Sequence, residues 1–519
     1  MRITGAITLS SAVLLVAAGC GTAPGPSDAG GAVCNGASSC PGDAPPESVC
    51  LERLAAGVLE DGCGVFVAGM FGDGDDADPG TRDKPVRTLQ RGVELARTGR
   101  GRVFACNDGF FGPLALPSGV DLIGGYHCLG FAREAGGRPT LQIVDTFEPV
   151  LTVVPASPGD TGAADGVSTL VDMRFFSNGP IGMLVQSGTA VELLRGRISA
   201  AWGWAGHNGE KWPYPNEATQ GPDGQYGGDA CSAAVVPGAP AAVNACDGGI
   251  PSVGGKGGDG LPDGAGDGED GLPFDASSPT YGRGGDGDVP STGCENGQVA
   301  LHGAHGFIGA AGTGRGRITE TGWEGDKAED GSRGMPGQGG GGGGGRRGGL
   351  SACGAASRGG AGGGSGGAGG CGGRGGQGGE NGWPSIGIVA LHAKLTLRDS
   401  EIVTSWGGEG GDGGPPERGG LGGRGAPGGA LGNGMWSCHG ANGGEGGYGG
   451  YGGPGRGGDS IGIAYLDEDK LTLEAVTYEL GLPGKGGVSW DIWSGDEVTG
   501  EEGIAAETFR FPDESRSSR

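Results

Sequence analysis

Apolar and polar positions along this chain fall into short patterned runs, separated by long stretches with no pattern. Between Pro85 and Gly99, Val86, Leu89, Val93 and Ala96 recur at i, i+3, i+7 and i+10, which is one face of a short helix. Pro85 suits its first turn, and Thr98-Gly99 its end. A strand-like run, GVFVAG, precedes this helix. Three more, RVFA, LAL and VDLIGG, follow it at brief intervals between turn residues. One amphipathic helix followed by close-spaced strands predicts a capped stack of strands rather than alternating βαβ units.

The same strand pattern returns at long range. Ile181-Gly182-Met183 with Val191-Glu192-Leu193 aligns with Ile386-Gly387-Ile388 and Leu395-Thr396-Leu397, and again with Ile461-Gly462-Ile463 and Leu471-Thr472-Leu473. Seven residues beyond the first residue of each second strand stand Ile198, Ile402 and Tyr478, and eleven beyond stand Trp202, Trp406 and Leu482. Upstream, VLTVV and STLVDMRFF look like preceding turns. A single copy has no partner for its backbone or its apolar face, whereas copies stacked about 4.8 Å apart supply both. Ile181, Ile386 and Ile461 are therefore predicted to be neighbours in parallel ladders. The stretches 205–383 and 407–458 each begin just after a third strand and end just before the next first strand. They read as giant loops leaving one corner of consecutive turns, and loop-closure entropy rises slowly enough to permit them.

Composition changes the picture of those loops. Of 519 residues 131 are glycine, far above the globular norm. Runs such as GGAGGCGGRGGQGGE and GGEGGYGGYGGP repeat near every third residue, often as Gly-Gly-X. Collagen needs an unbroken register and abundant proline; here the register breaks often. Two readings remain: disorder, because glycine loses most entropy on ordering, or extended polyglycine-II-like segments packed backbone to backbone. We expect the packed form, pinned by cysteines and by Trp212, Trp323, Trp383 and Trp436. The net charge of −26 repels phosphate backbones and excludes nucleic acid as a natural partner.

The N-terminus, MRITGAITLSSAVLLVAAGCG, carries one Arg2 and then an apolar run too short to span a bilayer comfortably, as an export signal does. Its end, Ala17-Ala18-Gly19-Cys20, resembles the lipobox of bacterial lipoproteins, although Ala17 stands where that family usually has Leu. The resemblance implies cleavage before Cys20, lipidation of its sulfur and, with Gly21 rather than Asp next, an outer-membrane or cell-surface location. Several acyl chains on one cysteine anchor far better than one myristoyl group. Thirteen cysteines less Cys20 leave twelve, an even number suited to an oxidising compartment. Cys34, Cys40, Cys50 and Cys63 come first, then Cys106 and Cys128. Cys231, Cys246, Cys294, Cys353 and Cys371 share the larger glycine block, and Cys438 sits alone in the smaller. If all pair, and the first two groups pair internally, one bridge must join the two blocks.

The order Gly74–Asp76, Pro79–Thr81, Lys84-Pro85, Thr88-Leu89, Phe110–Gly112 and Val120–Tyr126 is similar to the opening of bacterial right-handed parallel β-helix proteins of the pectin-lyase-like group. The likeness covers a cap and first coils, not an activity. It implies an all-β right-handed parallel β-helix with an N-terminal capping helix, in which Cys106 and Cys128 could bridge stacked coils. The glycine-rich remainder resembles, in composition only, the surface proteins loosely called PE-PGRS-like. The expected divisions are 1–19 signal peptide, 20–33 flexible tether, 34–63 cysteine-bearing subdomain and 64–204 cap and first coils. Then come 205–383 first insertion, 384–406 coil, 407–458 second insertion, 459–497 last coil and 498–519 C-terminal tail.

Candidate chemistry is sparse. Asp73, Asp75, Asp76 and Asp78 in FGDGDDADPG resemble a calcium-binding acidic loop, since calcium takes six to eight oxygens; Asx-turns ahead of the helix are the competing reading. Calcium is the one cofactor these residues suggest. GGKGGDGLPDGAGDGEDG lacks the period of calcium repeats. His302 and His305 in LHGAHG have metal-like spacing but no further ligand in sight. β-Helices host polysaccharide lyases and hydrolases, yet the aligned copies share no acidic cluster, and fold alone supplies no activity. The expected function is therefore structural or adhesive and non-catalytic, with the membrane reached through the lipid anchor. The alternative is a carbohydrate-active enzyme or binding module facing acidic polysaccharide; another surface protein is the other candidate partner.

Overall fold

The computed structural model describes residues 45–143, 148–160, 166–213, 216–247, 249–290, 293–432 and 434–513. Its principal strands form one seven-stranded and two six-stranded sheets, and every pairing within them is parallel. Sheet 1 holds Val65–Val67, Arg102–Cys106, Asp121–Tyr126, Val167–Val171, Ala190–Leu194, Lys394–Arg398 and Leu471–Glu474. Sheet 2 holds Gly109–Phe111, Thr140–Ile143, Arg174–Ser177, Arg197–Ser199, Glu401–Val403 and Thr477–Glu479. Sheet 3 holds Leu114–Pro117, Leu151–Val154, Ile181–Val185, Ser385–Ala390, Ser460–Tyr465 and Ala505–Arg510. From Arg102 onward the chain enters these sheets in rotation. The distant repeats are neighbours: Ile181 pairs with Ile386 and Ile386 with Ile461, while Val191, Leu395 and Leu471 follow one another in sheet 1.

Alternation puts one side chain in two into a shared interior. Met183, Ile388 and Ile463 from sheet 3 meet Val191, Leu193, Leu395 and Leu397 from sheet 1 and Phe175, Ile198 and Ile402 from sheet 2. The passage from sheet 1 to sheet 2 is made by a left-handed residue at the same place in successive turns: Asp172, Arg195, Asp399 and Ala475, with φ of 53°, 52°, 48° and 51°. Such a conformation costs about 1 kcal/mol or more without glycine. Here the stack over-determines it, because the amides of Asp172, Arg195 and Asp399 donate to Leu194, Arg398 and Glu474 of the next turn at 3.0 Å.

Two helices, α1 (Glu47–Ala55) and α2 (Leu89–Arg97), precede the repeats. Helix α2 buries Leu89, Gly92, Val93 and Ala96. Gly92 permits the close approach, since a Cβ there would lie 2.5 Å from Val67 Cγ2. The helix starts later than the periodicity predicts. Val86 instead pairs with strand Val65–Val67, its amide donating to Phe66 O and its carbonyl accepting from Ala68 N. Thr88 is the true cap, its Oγ1 accepting from Arg91 N at 3.1 Å. Backbone pairing with an existing strand outweighs a proline-led first turn.

The expected C-terminal tail at 498–519 is a further correction. Residues 480–504 are a third excursion from the same corner, carrying the hairpin Val488–Trp490 and Glu497–Thr499. The chain then returns as Ala505–Arg510, which pairs with Ser460–Tyr465 in sheet 3. AAETFR lacks the I-G-aliphatic signature, so its strand was invisible to repeat matching.

The glycine blocks are ordered by their own backbone. Segments 329–343 and 364–379 run antiparallel, with Gly331, Gly334, Gly337 and Gly340 N–H donating to Gly376, Gly373, Gly370 and Gly367 O at 2.8–2.9 Å. Gly373, Gly376 and Gly379 donate onward to Gly447, Gly450 and Gly453, whose amides return to Met335, Ser332 and Glu329. Amides three residues apart thus point to the same neighbour while successive amides turn to different ones, and three extended segments close a ring of hydrogen bonds with no side chain between them. The long excursions join here because 438–453 belongs to one and the other two segments to the other.

The described disulfides are Cys50–Cys63, Cys106–Cys128, Cys231–Cys353, Cys246–Cys371 and Cys294–Cys438. The last joins the larger glycine block to the smaller; Cys20, Cys34 and Cys40 lie outside the described residues. Because Cys294–Cys438 closes a separation of 144 residues, Cys438→Ser should destabilise the lobe by about 4 kcal/mol. Hydrogen exchange should rise in 294–300 and 438–453, while the sheet strands keep their protection.

Candidate functional site

The three sheets present different outer faces. Sheet 3 is covered: Ile181, Leu184, Ile386 and Val389 pack beneath Ile318 and Trp323 of a hairpin from the first excursion, and against Phe511. Sheet 1 carries charge across its turns. Arg398 bonds Glu192 on one side and Glu474 on the other, at 3.0 Å for the latter. At its corner Asp172 holds both Arg195, at 2.7 Å, and Arg133. Burial works to raise the Asp172 carboxyl, but the hydrogen bonds and charges of the two arginines outweigh it and hold it below the usual carboxylate range.

Sheet 2 is the open face. Its register sets Thr140, Arg174, Arg197, Glu401 and Thr477 in one outward row and Phe111, Gln142, Phe176, Ser199, Val403 and Glu479 in the next. Beyond these rows, where the chain leaves for each glycine excursion, Trp202, Trp406 and Leu482 stand at equivalent positions, 63%, 66% and 67% exposed. Gly203 N donates to Trp406 O and Gly407 N to Leu482 O, which keeps the row in register. A groove of about 620 Å³ runs here, lined by Gln142, Arg174, Phe176, Asn178, Arg197, Ser199, Trp202 and Ser405 among others. Arg197 is steadied by Glu401 at 3.0 Å. Arg174 has no ion-pair partner among the described residues.

Chemically this is a platform of flat apolar surfaces beside planar guanidinium forks, amides and hydroxyls. Such a surface holds a ligand with apolar faces and carboxylate or hydroxyl edges. The repeat alignment had found Trp202 and Trp406 as bulky positions. Arg174, Phe176 and Gln142 lie on strands without the I-G signature, and only the register brings them beside the tryptophans.

The predicted calcium site does not assemble. Asp76 accepts from Arg87 N and Thr88 N at 2.9 Å and from Thr88 Oγ1 at 3.0 Å, fixing the entry to α2. Asp75 makes an Asx-turn to Ala77 N. Among the described residues, Asp73, Asp75, Asp76 and Asp78 do not bring three ligand atoms together. The one cluster that does so is Cys106, Asp108 and Cys128; its cysteines are disulfide-bonded, and Asp108 accepts from Phe71 N and Gly72 N.

His302 and His305 have a structural reason for their spacing. They are successive outward positions of one extended segment, and their Nδ1 atoms accept from Glu445 N and Tyr448 N at 3.0 Å. The aspartates of GGKGGDGLPDGAGDGEDG act alike: Asp259, Asp267 and Asp270 accept from Gly238, Gly287 and Gly284 amides. These acceptors satisfy amides that the backbone ring leaves over. Of the expected tryptophan anchors, Trp323 and Trp383 pack together at 5.1 Å, and Trp212 lies under Arg374 at 4.1 Å. Trp436 is exposed instead.

Compared with known proteins, the chain matches no family model, no curated protein and no solved structure. No helix among the described residues is long and apolar enough to cross a membrane.

Proposed function

We propose that this chain is an exported, lipid-anchored surface protein with an adhesive and structural role. Its body on this reading is a right-handed parallel β-helix, from which three glycine-rich excursions of polyglycine-II type fuse into one lobe. The rotation of strands through three parallel sheets supports the helix, and the every-third-residue bonding supports the polyglycine form. The disulfides favour an oxidising compartment. The observation that carries the adhesive reading is the exposed Trp202–Trp406 row beside Arg174 and Arg197. Large aromatic surfaces seldom stay open on a monomer without a partner.

Anchoring through Cys20 has a direct test. Cys20→Ser should move the protein from the membrane fraction to the soluble fraction and abolish incorporation of labelled palmitate. Continued membrane association with no acyl label in the wild-type chain would defeat the anchor.

The second reading is a carbohydrate-binding module, or a carbohydrate-active enzyme, working on acidic polysaccharide in the sheet 2 groove. The pairing of tryptophan faces with arginines favours it. Affinity electrophoresis in gels containing polygalacturonate or alginate should retard the protein more than neutral dextran does. Trp202→Ala with Trp406→Ala should weaken the retardation about tenfold or more, the loss of one aromatic anchor of about 2 kcal/mol. Release of reducing ends or unsaturated sugars would favour the enzyme, and unchanged mobility in every gel would remove the carbohydrate reading.

A further inference from the structure

The two ends of the strand stack are finished differently. Helix α2 covers the first turns, burying Leu89, Val93 and Ala96. At the other end Leu471–Glu474, Thr477–Glu479 and Ala505–Arg510 are each the last strand of a sheet, hydrogen-bonded within it on one side only. Their inward positions are poorly covered. Leu473, in register with the fully buried Leu397, is 37% exposed. Leu471 and Tyr478 are half-buried below Leu395 and Ile402, and the Tyr478 hydroxyl is buried with no hydrogen-bond partner among the described residues. Open edges and an uncovered core together are what a stacked-strand protein ordinarily caps.

We propose that a second copy of this chain covers this end, the two stacks meeting tail to tail about a twofold axis through Thr472. The local sequence is self-complementary for that pairing. In Lys470-Leu471-Thr472-Leu473-Glu474, antiparallel pairing about Thr472 sets Lys470 against Glu474, Leu471 against Leu473 and Thr472 against its own copy. Side-chain alternation keeps both leucines inward and Glu474 outward, as a continuous sheet requires. Lys470 ends the short 3-10 turn just before the strand. There its Nζ donates to the His392 carbonyl at 2.9 Å and pairs with Asp467 at 3.2 Å, and it would have to exchange these partners for Glu474 of the second copy. The charges also extend a ladder already present. Glu192, Arg398 and Glu474 alternate in sign down the face of sheet 1, and Lys470 of the second copy is the next member. The earlier repeat reads Lys394-Leu395-Thr396-Leu397-Arg398 and would set like charges against each other; only the terminal copy carries the acidic end. The same axis brings Thr477–Glu479 of one copy to Ala505–Arg510 of the other, so all three open edges are used.

Sedimentation velocity of the full chain carrying Cys20→Ser, which removes any acyl anchor, tests this. A concentration-dependent dimer is expected. Lys470→Glu and Glu474→Lys should each weaken it about tenfold, because symmetry makes each change twice. The double variant K470E/E474K should recover most of the loss, which a merely structural effect of either residue would not produce. Leu473→Pro, which removes an amide that alternation turns toward the open edge, should abolish dimerisation. A monomer at every concentration, a double variant no better than the singles, or a dimer surviving Leu473→Pro would each overturn the proposal. So would strong hydrogen-exchange protection of 471–479 in a monomer, which would mean that the chain covers its own end.

Discussion

Alanine at Gly375 is expected to open the glycine lobe and to cost about 3 kcal/mol, at the upper end of what overpacking usually exacts. A Cβ on Gly375 would fall on the Gly331 carbonyl oxygen, well inside van der Waals contact, and its next nearest neighbours are also backbone. No side-chain rotation relieves such a clash. Relief requires separating 329–343 from 364–379, and with them the bonds each makes to 438–453. Hydrogen exchange should therefore rise in all three segments together, with a lowered melting temperature. Gly264 is the control: a Cβ there meets nothing within 4 Å, and Gly264→Ala should leave exchange and melting unchanged. Equal effects at both sites would mean that the segments are not packed as described.

Asp459→Ala is the second large expectation. Asp459 and Arg456 are 2% and 3% exposed and pair at 2.8 Å. The same carboxylate takes Arg315 at 2.9 Å and the Ile504 amide at 2.8 Å. It thereby ties the end of the second excursion to the hairpin of the first, to the return of the third and to sheet 3. Removing it takes the close carboxylate partner from two guanidinium groups, and leaves the deeply buried Arg456 only the Gly457 carbonyl and Glu501 at 3.8 Å, which costs about 3 kcal/mol. Exchange should rise at 455–465 and 500–510. The exposed pair Arg317–Glu324 is the comparison, and Glu324→Gln should change stability by less than about 1 kcal/mol. A mild Asp459→Ala would mean that water reaches the site.

The strand stack was largely legible because its signals are local and repeated. I-G-aliphatic and aliphatic-x-aliphatic runs report alternation directly, and equal spacing within each copy reports register. Where a turn lacked that signature, as in Ala505–Arg510, the strand went unseen, and Arg174–Ser177 was legible only as part of the run STLVDMRFF, without its register. Val86 shows the opposite failure. Its helical spacing is genuine, but a nearby strand offered its backbone a better partner. The acidic loop and the histidine pair share one physical feature: spacing in the chain suits a metal, but backbone amides take the acceptors, from nearby Ala77, Arg87 and Thr88 for the aspartates and from distant Glu445 and Tyr448 for the histidines. Of the candidate binding face, the tryptophans were visible as a column and the arginines were not, because their side of the strand depends on which residue each one pairs with.

The sequence by itself determined that strands would stack in parallel, that the glycine blocks would leave from one corner, and that a bridge between the blocks would be needed if all cysteines paired. These follow from alternation, spacing and parity, which are properties of the chain alone. Only the tertiary structure decided which glycines face which carbonyls, that a third excursion exists, and that one face stays open while another is covered. Those outcomes rest on contacts between segments from tens to more than a hundred residues apart, and a chain so rich in glycine carries too few side chains to encode such partners locally.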